Sequence, residues 1–429
     1  MKQLLLTRSI LFSLILPSVT FACSNIGVVG QPGIAAVART MDMELNTGNT
    51  FGFGAKGWHN RSNINMPQMA PIHAARWVNK YPFLGQSAFK TYVITDGINN
   101  QGLYAAYLDL PDISYYPSYN PKDKRPELGM TDVINFVLGT SRSVPEAINK
   151  LKKMQIVKNA FEIKYKKHFY FGGNAVHLVL RDKEGNVGVI EWVKFKGSAY
   201  THYYLHKTGT HTVVETIDGA NIQPVVFKNT DAAVVTNSPD YAWQLRNTSH
   251  YDYVFTGSTG RKWDGIYMNG SGFFGVHGDW TPPSRFTRGA QLERLMPRPE
   301  TEKEALALAY SAIQTMRVPV GANPSSSIWM TVSDLKNSVY YFKPLLNVYP
   351  KMKNHMLYIS VPAFNATWQH YSVNAIAGHK HLPQGWVSTR VQLGKMATPQ
   401  QTEQSLKMSY TPTPGNVRYH YAWKSDLKK

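Results

Sequence analysis

Phe21-Ala22-Cys23-Ser24-Asn25 decides how the rest of the chain is read. It holds the only cysteine in 429 residues. Upstream, Lys2 and Arg8 make a basic start, Ile10 to Leu16 a mostly apolar run, and Pro17 to Ala22 a small-residue approach. This is the layout of a secretory leader that is removed on export. A cut after Ala22, with Thr20 three residues before the scissile bond, leaves Cys23 first, carrying both a thiol and a free α-amine. A nucleophile and a base then share one residue. Two other readings stand beside it. A lone cysteine is commonly a small buried hydrophobe, and a lipoprotein leader also stops before a cysteine but acylates it. Thr20 and bulky Phe21 match the aliphatic approach of a lipoprotein poorly.

Working outward, removal of 22 residues leaves 407, enough for one large domain or two medium ones. A hydrophobic fraction of 43% and an aromatic fraction of 12% describe a globular chain with a sizeable core. The formal net charge is +19, of which Lys2 and Arg8 supply two, so residues 23–429 carry +17. That balance suits an exported protein meeting anionic surfaces and anionic small molecules. Nucleic acid is not the expected partner, because the lysines and arginines are dispersed without a long basic run or an aromatic recognition motif. No second stretch reaches the roughly 20 apolar residues of a membrane helix, so the expected product is periplasmic or secreted and not membrane-inserted. A single cysteine permits no internal disulfide.

Ile26 to Val29 and Ile34 to Arg39 read as two strands around Gly30-Gln31-Pro32-Gly33, which places Arg39 and Asp42 back toward Cys23. Asp96-Gly97-Ile98-Asn99-Asn100-Gln101-Gly102 reads as a turn cluster before a strand from Leu103 to Leu108 that ends at Asp109-Leu110-Pro111. Two helices are expected between Thr131 and Met154, the second opened by the capping box Ser143-Val144-Pro145-Glu146. Ala175 to Leu180 and Val187 to Val193 form a hairpin around Arg181 to Asn186. A last helix starts at Thr301-Glu302-Lys303-Glu304, and Ile328 to Val332 pairs with Val339 to Phe342. Strands, helices, strands, helix, strands is an α+β order and not a βαβ repeat. The expected division is a leader over 1–22, a catalytic domain over 23–345, and a C-terminal extension over 346–429 packed on or trailing that domain. The tail from Thr398 to Lys429 reads as partly irregular.

Three further segments join Cys23: Ala38-Arg39-Thr40-Met41-Asp42, Thr236-Asn237-Ser238-Pro239, and Gly278-Asp279-Trp280-Thr281-Pro282-Pro283-Ser284-Arg285-Phe286. In this order, over roughly Cys23 to Lys343, they resemble the choloylglycine hydrolase family, the linear amide C–N hydrolases that include bile salt hydrolases and penicillin V acylases. Asp96 to Asn99 with Gly102-Leu103, and Ser333 to Asn337 with Tyr340-Tyr341-Phe342, are similar to further family segments. The resemblance implies a four-layer αββα sandwich of the N-terminal nucleophile type. It implies Cys23 as nucleophile with its own α-amine as proton acceptor, and Arg39 and Arg285 as arginines that favour the thiolate and orient the substrate's polar end. It implies Asp42 as the carboxylate accepting from the cysteine amine or thiol, and Asn237 as an oxyanion donor. The second oxyanion residue, commonly Asn or Tyr, falls at Asp109, which is expected to donate through its backbone N–H. Met41 is expected to line the acyl site. Phe51, Phe53 and Tyr115-Tyr116 are candidate apolar walls, with core or surface packing as the alternative. Association into a homo-oligomer is a further implication.

Each residue also has a plain structural reading. Arg39 with Asp42 fits a local ion pair, Asn237-Ser238-Pro239 a turn, and Arg285 a partner for Asp279. His202 and His206 have the offset of a zinc helix, but Tyr203-Tyr204-Leu205 between them supplies no Glu and reads as strand. His379 and His381 have no nearby carboxylate in the sequence. No metal site is expected, and the cysteine chemistry needs no cofactor. The expected partner is a small-molecule amide. Conjugated bile salts, penicillin V and N-acyl homoserine lactones all join an apolar acyl group to a small polar amine, and the basic side chains favour an anionic amine part over a lactone.

Overall fold

The computed structural model describes residues 22–43, 50–62, 73–87, 93–111, 113–116, 119–158, 161–165, 168–172, 175–195, 198–206, 212–217, 226–227, 233–255, 262–263, 266–267, 277–322, 325–349, 359–362, 368–378 and 387–390. Residues 1–21 of the expected leader, His379, His381 and the tail from Thr398 lie outside them.

Two antiparallel sheets dominate. Among the described residues the first has six strands, in the order Val234–Val235, Ala22–Val29, Ala35–Met43, Ser326–Asp334, Val339–Pro344, Gln369–Ser372. Its organising unit is the expected hairpin, longer than the apolar runs alone mark, because polar Ser24, Asn25, Thr40 and Asp42 are fully buried in it. Gly33 turns that hairpin with a φ of 81°, a left-handed value that a side chain would strain. Among the described residues the second sheet has ten strands and runs through Ser198–His206, Val187–Phe195, Val176–Arg181, Tyr104–Asp109, Ile94–Asn99, Phe83–Ser87 and Thr50–Gly54.

Strand periodicity separates two cores. In Tyr104–Asp109, Tyr104, Ala106 and Leu108 point to the core shared with the six-stranded sheet, whereas Ala105 and Tyr107 point to the core under helices Val133–Thr140 and Val144–Leu151. On the far side, helices Pro282–Leu295 and Glu302–Met316 lie on the six-stranded sheet. The stack is helix, sheet, sheet, helix.

Helix Glu302–Met316 has the full capping box, Thr301 Oγ1 accepting from the Glu304 N–H at 3.2 Å and Glu304 returning a carboxylate to the Thr301 N–H at 3.3 Å. At Ser143 only half of it forms. Glu146 accepts instead from the Arg142 N–H at 3.0 Å, its other oxygen being held by Lys150 at 2.8 Å. The turn expected over Asp96 to Gly102 is shorter: Ile94–Asn99 is a strand, and the chain reverses only at Asn100-Gln101-Gly102. Gly97 is there for close approach, since it faces Gly85 across the ladder and a Cβ on it would sit 2.7 Å from the Leu84 carbonyl oxygen. Helices Tyr241–Phe255 and Pro282–Leu295 are absent from the sequence reading. The Pro282-Pro283 pair opens the latter helix's first turn, where no N–H is needed. Two stretches of the C-terminal extension join the sheets: Gln369–Ser372 pairs with Val339–Pro344, and Val387–Arg390 with Thr50–Gly54.

Candidate active site

Cys23 lies opposite Met41 in the hairpin ladder, and Asn25 opposite Arg39. The period of two puts all four side chains on the face toward the ten-stranded sheet, and Ser24 and Asp42 on the face toward the helices. The six-stranded sheet thus presents a sulfur and a guanidinium to one layer and a carboxylate to the other.

On the inner face Cys23 Sγ is 3.6 Å from Met41 Sδ and 3.5 Å from Arg39 Nη2. Cys23 is 1% exposed and Arg39 0%. Arg39 reaches the gap where two neighbouring strands part. Their register runs Ile98↔Tyr104, Gly97↔Ala105, Asp96↔Ala106, and the next two carbonyls, Thr95 and Tyr107, both accept from Arg39, at 2.7 and 2.6 Å. The Trp329 ring covers the guanidinium at 5.2 Å. Two backbone dipoles and a ring therefore fix the plane of the cation beside the sulfur.

On the outer face helix Pro282–Leu295 delivers Arg285, also 0% exposed. Its Nη1 donates to the Cys23 carbonyl at 2.8 Å and to Asp42 Oδ2 at 3.3 Å, and Nη2 donates to Asn237 Oδ1 at 2.9 Å. Asp279 is not its principal partner, because that carboxylate accepts from the Thr281 N–H at 2.8 Å and from Ser284 Oγ at 2.8 Å. Asn237 binds at both ends: Oδ1 accepts from the Cys23 N–H at 2.8 Å, and Nδ2 donates to the Asp109 carbonyl at 2.7 Å. In the ladder the Leu110 N–H bonds to the Ala175 carbonyl, so Asp109, opposite Val176, turns its own peptide groups to the other side, toward Asn237. The loop carrying Asn237 is fastened from behind by His177 Nε2 on the Thr236 carbonyl at 2.9 Å, with His177 Nδ1 on Glu191 at 2.9 Å.

All the residues expected at the site converge: Cys23, Arg39, Met41, Asp42, Asn237 and Arg285, with Asp109 at the end of the Asn237 amide. One contact differs from the expected one. The Cys23 N–H goes to Asn237, and the Asp42 carboxylate is occupied by Arg285 and by Ser327 Oγ. Alternation explains this, since Asp42 faces the helices while Sγ faces the other sheet, and Cys23 N is here a peptide nitrogen with Ala22 before it in the strand. Phe51 and Phe53 are core, Phe51 packing edge-on against Phe342 at 5.0 Å. Tyr116 stacks on Trp192 at 5.1 Å, and Tyr115 is 44% exposed. His202 and His206 lie on a strand, and His202 Nδ1 sits 3.3 Å from the Tyr204 hydroxyl. Among the described residues no group of three His, Cys, Asp or Glu side chains is placed to hold a metal.

Burial pushes the Cys23 thiol up; Arg39 is the strongest opposing influence, and Asp42 adds to the rise. Burial also raises Asp42, against Arg285 and Ser327. Arg285 is lowered by burial and supported by Asp42. The charges are mutually dependent, each held in a dry interior by the next.

Residues beyond the expected set take part. Ser24, Asp96, Tyr104, Ser327 and Tyr340 are buried polar groups in or next to this network. Asp96 and Tyr340 lie in segments the sequence marks as similar to the family; Ser24, Tyr104 and Ser327 carry no mark of their own.

Comparison with known proteins identifies the relatives of this chain. The family described as linear amide C–N hydrolases, choloylglycine hydrolase family, matches residues 23–201 and 192–356. A penicillin V acylase of Pectobacterium atrosepticum is 24% identical over 348 residues, covering 76% of this chain and 79% of its own. A bile salt hydrolase/transferase of Clostridium perfringens is 25% identical over 283 residues, covering 64% and 72%. Among solved structures, penicillin V acylase from Agrobacterium tumefaciens superposes with a TM-score of 0.61 at 21% identity, covering 86% of this chain and 92% of that one. The four layers are thus those of the N-terminal nucleophile fold of these acylases. With its match running from the solitary cysteine through the strands, loop and helix that surround it, the chain belongs to the choloylglycine hydrolase family of linear amide C–N hydrolases.

Proposed function

We propose that this chain is an exported amidohydrolase in which Cys23, freed by removal of residues 1–22, opens the C–N amide bond of a small acylated amine. The observation that carries the reading is the placement of Cys23. The residue at the predicted cut has its sulfur 3.5 Å from a fixed guanidinium and its nitrogen 2.8 Å from Asn237.

The free α-amine takes the thiol proton, and the thiolate attacks the amide carbon. For the free groups, an amine near pKa ~8 and a thiol near ~8.5 make that transfer nearly neutral; burial raises the Cys23 thiol and works against it, and Arg39 works for it. Arg39 supports the thiolate. Asn237 Nδ2 lies at the Asp109 backbone, donating to its carbonyl at 2.7 Å. The Asn237 side-chain amide, together with the Asp109 backbone N–H, is the donor pair for the tetrahedral oxyanion. The C–N bond then breaks, the leaving amine takes the proton from the Cys23 ammonium, and a thioester remains. Water, deprotonated by the α-amine, cleaves the thioester to the acid and restores the thiol. Arg285 and Asp42 hold the Cys23 carbonyl, Asn237 and each other, so the nucleophile and the oxyanion donor keep one geometry.

The relatives support a substrate with a bulky apolar acyl group and a small, anionic amine part, of the penicillin V or conjugated bile salt kind, ahead of an N-acyl homoserine lactone. Membership of a family of C–N hydrolases, matched from Cys23 onward, supports this reading over a lipid anchor. Intact mass of the exported protein is expected to correspond to a start at Cys23. Cys23→Ser is expected to lose amide hydrolysis by on the order of 1,000-fold or more. A mature protein starting elsewhere, or a serine variant with full activity, refutes the reading; initial rates on the three substrates rank them.

A further inference from the structure

Asp96 is 0% exposed, and no step of the proposed reaction uses it. Its carboxylate accepts from four side chains. Arg39 Nη1 reaches Oδ2 at 3.3 Å and Thr331 Oγ1 at 3.4 Å; the Tyr104 hydroxyl also binds Oδ2, and the Tyr340 hydroxyl binds Oδ1. Asp96 and Tyr104 belong to the ten-stranded sheet, Arg39, Thr331 and Tyr340 to the six-stranded one. Arg39 therefore stands between two acids, Asp96 on Nη1 and Cys23 on Nη2.

In a dry interior a cation's field is not diluted by water, so a second anion on the same guanidinium matters to the first. The groups facing the Cys23 thiol are its own α-amine once residues 1–22 are removed, Arg39 and Asp42 from its neighbouring strand, and Arg285 from the helix. Those facing Asp96 are Arg39, Tyr104 and Tyr340, with Arg181 beyond Tyr104. Only Arg39 is common to both sets.

We propose that Asp96 is a positioning residue that shares Arg39 with Cys23 and so holds the thiol less acidic than Arg39 alone would make it. The proposal rests on the reading of Cys23 as nucleophile. The Thr95 and Tyr107 carbonyls and the Trp329 ring hold Arg39 independently of Asp96. Removing the charge at Asp96 thus leaves the cation in place with the thiolate as its nearest anion. Removing a donor from Asp96 acts the other way, because the carboxylate then draws harder on Arg39.

Cys23 is the sole cysteine, so alkylation by iodoacetamide reports one residue. The test follows its rate against pH in the purified protein, with the N-terminus fixed by intact mass, for the wild type, Asp96→Asn and Tyr340→Phe. In Asp96→Asn the midpoint is expected to fall by about one pH unit, roughly tenfold faster alkylation on the acid side. In Tyr340→Phe it is expected to rise by a few tenths of a unit. Both variants are expected to lower Tm, so a merely structural role moves them in one direction, whereas sharing of Arg39 moves the midpoints apart. Midpoints that stay put or move together overturn the proposal. Should Asp96→Asn fail to fold, a Tyr340→Phe midpoint at or below the wild type overturns it alone. Alkylation needs no amide turnover. A wild type that cleaves no amide while the midpoints separate overturns the proposed function only, and an active wild type with unmoved midpoints overturns this inference only.

Discussion

The packing around the six-stranded sheet and the packing under helices Val133–Thr140 and Val144–Leu151 are built on different terms. The second is joined by Leu103, Val137, Leu138, Ile148, Leu180 and Trp192, nearly all without solvent exposure. The first contains comparable apolar residues, but it buries Arg39, Asp42, Asp96, Arg181 and Arg285 among or beside them, cations included, whereas buried acids beside the second, such as Asp132 and Asp182, accept from the Ser62 hydroxyl and the Val144 N–H. Burying a charge costs several kcal/mol even when it is paired. Arg181 shows the strain, being lowered by burial to about 10 although Asn25 Oδ1 and the Ala233 carbonyl both accept from it. One layer supplies stability, and the other gives part of it up to keep a cation and a sulfur dry and close.

That contrast can be broken from either side. Asp42→Ala leaves Arg285 buried without a carboxylate and is expected to lose about 3–5 kcal/mol in urea unfolding. A loss below about 1 kcal/mol would mean that the carbonyl and amide acceptors on Arg285 suffice. Leu138→Ala, in the apolar layer, is expected to lose about 2–4 kcal/mol while kcat and Cys23 alkylation stay unchanged in the folded fraction. A changed alkylation rate would show that the layers are not separable.

The titration of Cys23 sharpens the contrast. Its thiol is raised in the folded chain, so the protonated form is favoured there over the unfolded chain. That stabilisation is complete below the unfolded thiol value near 9.0 and is lost as pH rises through the folded one. In the uncleaved chain, Tm measured from pH 7 to 10.5 is expected to fall more steeply for the wild type than for Cys23→Ser. Tyr104 and Tyr340, also raised by burial, contribute equally to both proteins. The smallest effect belongs to a surface cap: Thr301→Ala should lower stability by about 1 kcal/mol and leave activity alone.

Much of the site is legible in the sequence because its residues sit on local structures with short signals. Cys23, Arg39, Met41 and Asp42 share one hairpin whose turn is spelled by Gly30-Gln31-Pro32-Gly33, and strand parity then assigns their faces. Asn237 and Arg285 come from a loop and a helix start more than 200 residues away, and only their similarity to family segments ties them to Cys23. Asp96 illustrates the limit. Its neighbours Gly97 and Gly102 both read as turn formers, yet Gly102 has a φ of 81° while Gly97 admits a close neighbouring strand. Composition cannot distinguish a glycine that bends the chain from one that makes room. Asn99 is similar: its Nδ2 ties the Leu138 and Ser141 carbonyls at 2.8 and 2.7 Å, so a residue that reads as turn also fastens a helix end. Helix Tyr241–Phe255 was illegible because Tyr, Trp, Gln, Arg and Asn alternate in it without an apolar stripe.

The strand that begins at Ala22 carries one last consequence. Ala22 is paired with Asp42 and Cys23 with Met41, so the bond between them runs along a paired strand, and the Cys23 N–H and carbonyl are held by Asn237 and Arg285. A protease must draw its target extended into its own cleft, and a bond with a strand beside it is not available for that. The cut proposed after Ala22 therefore belongs before the hairpin docks. Timing follows from topology: on that proposal the leader would be lost while this end of the chain is still loose, and the sheet would then close around a first residue that already has its amine.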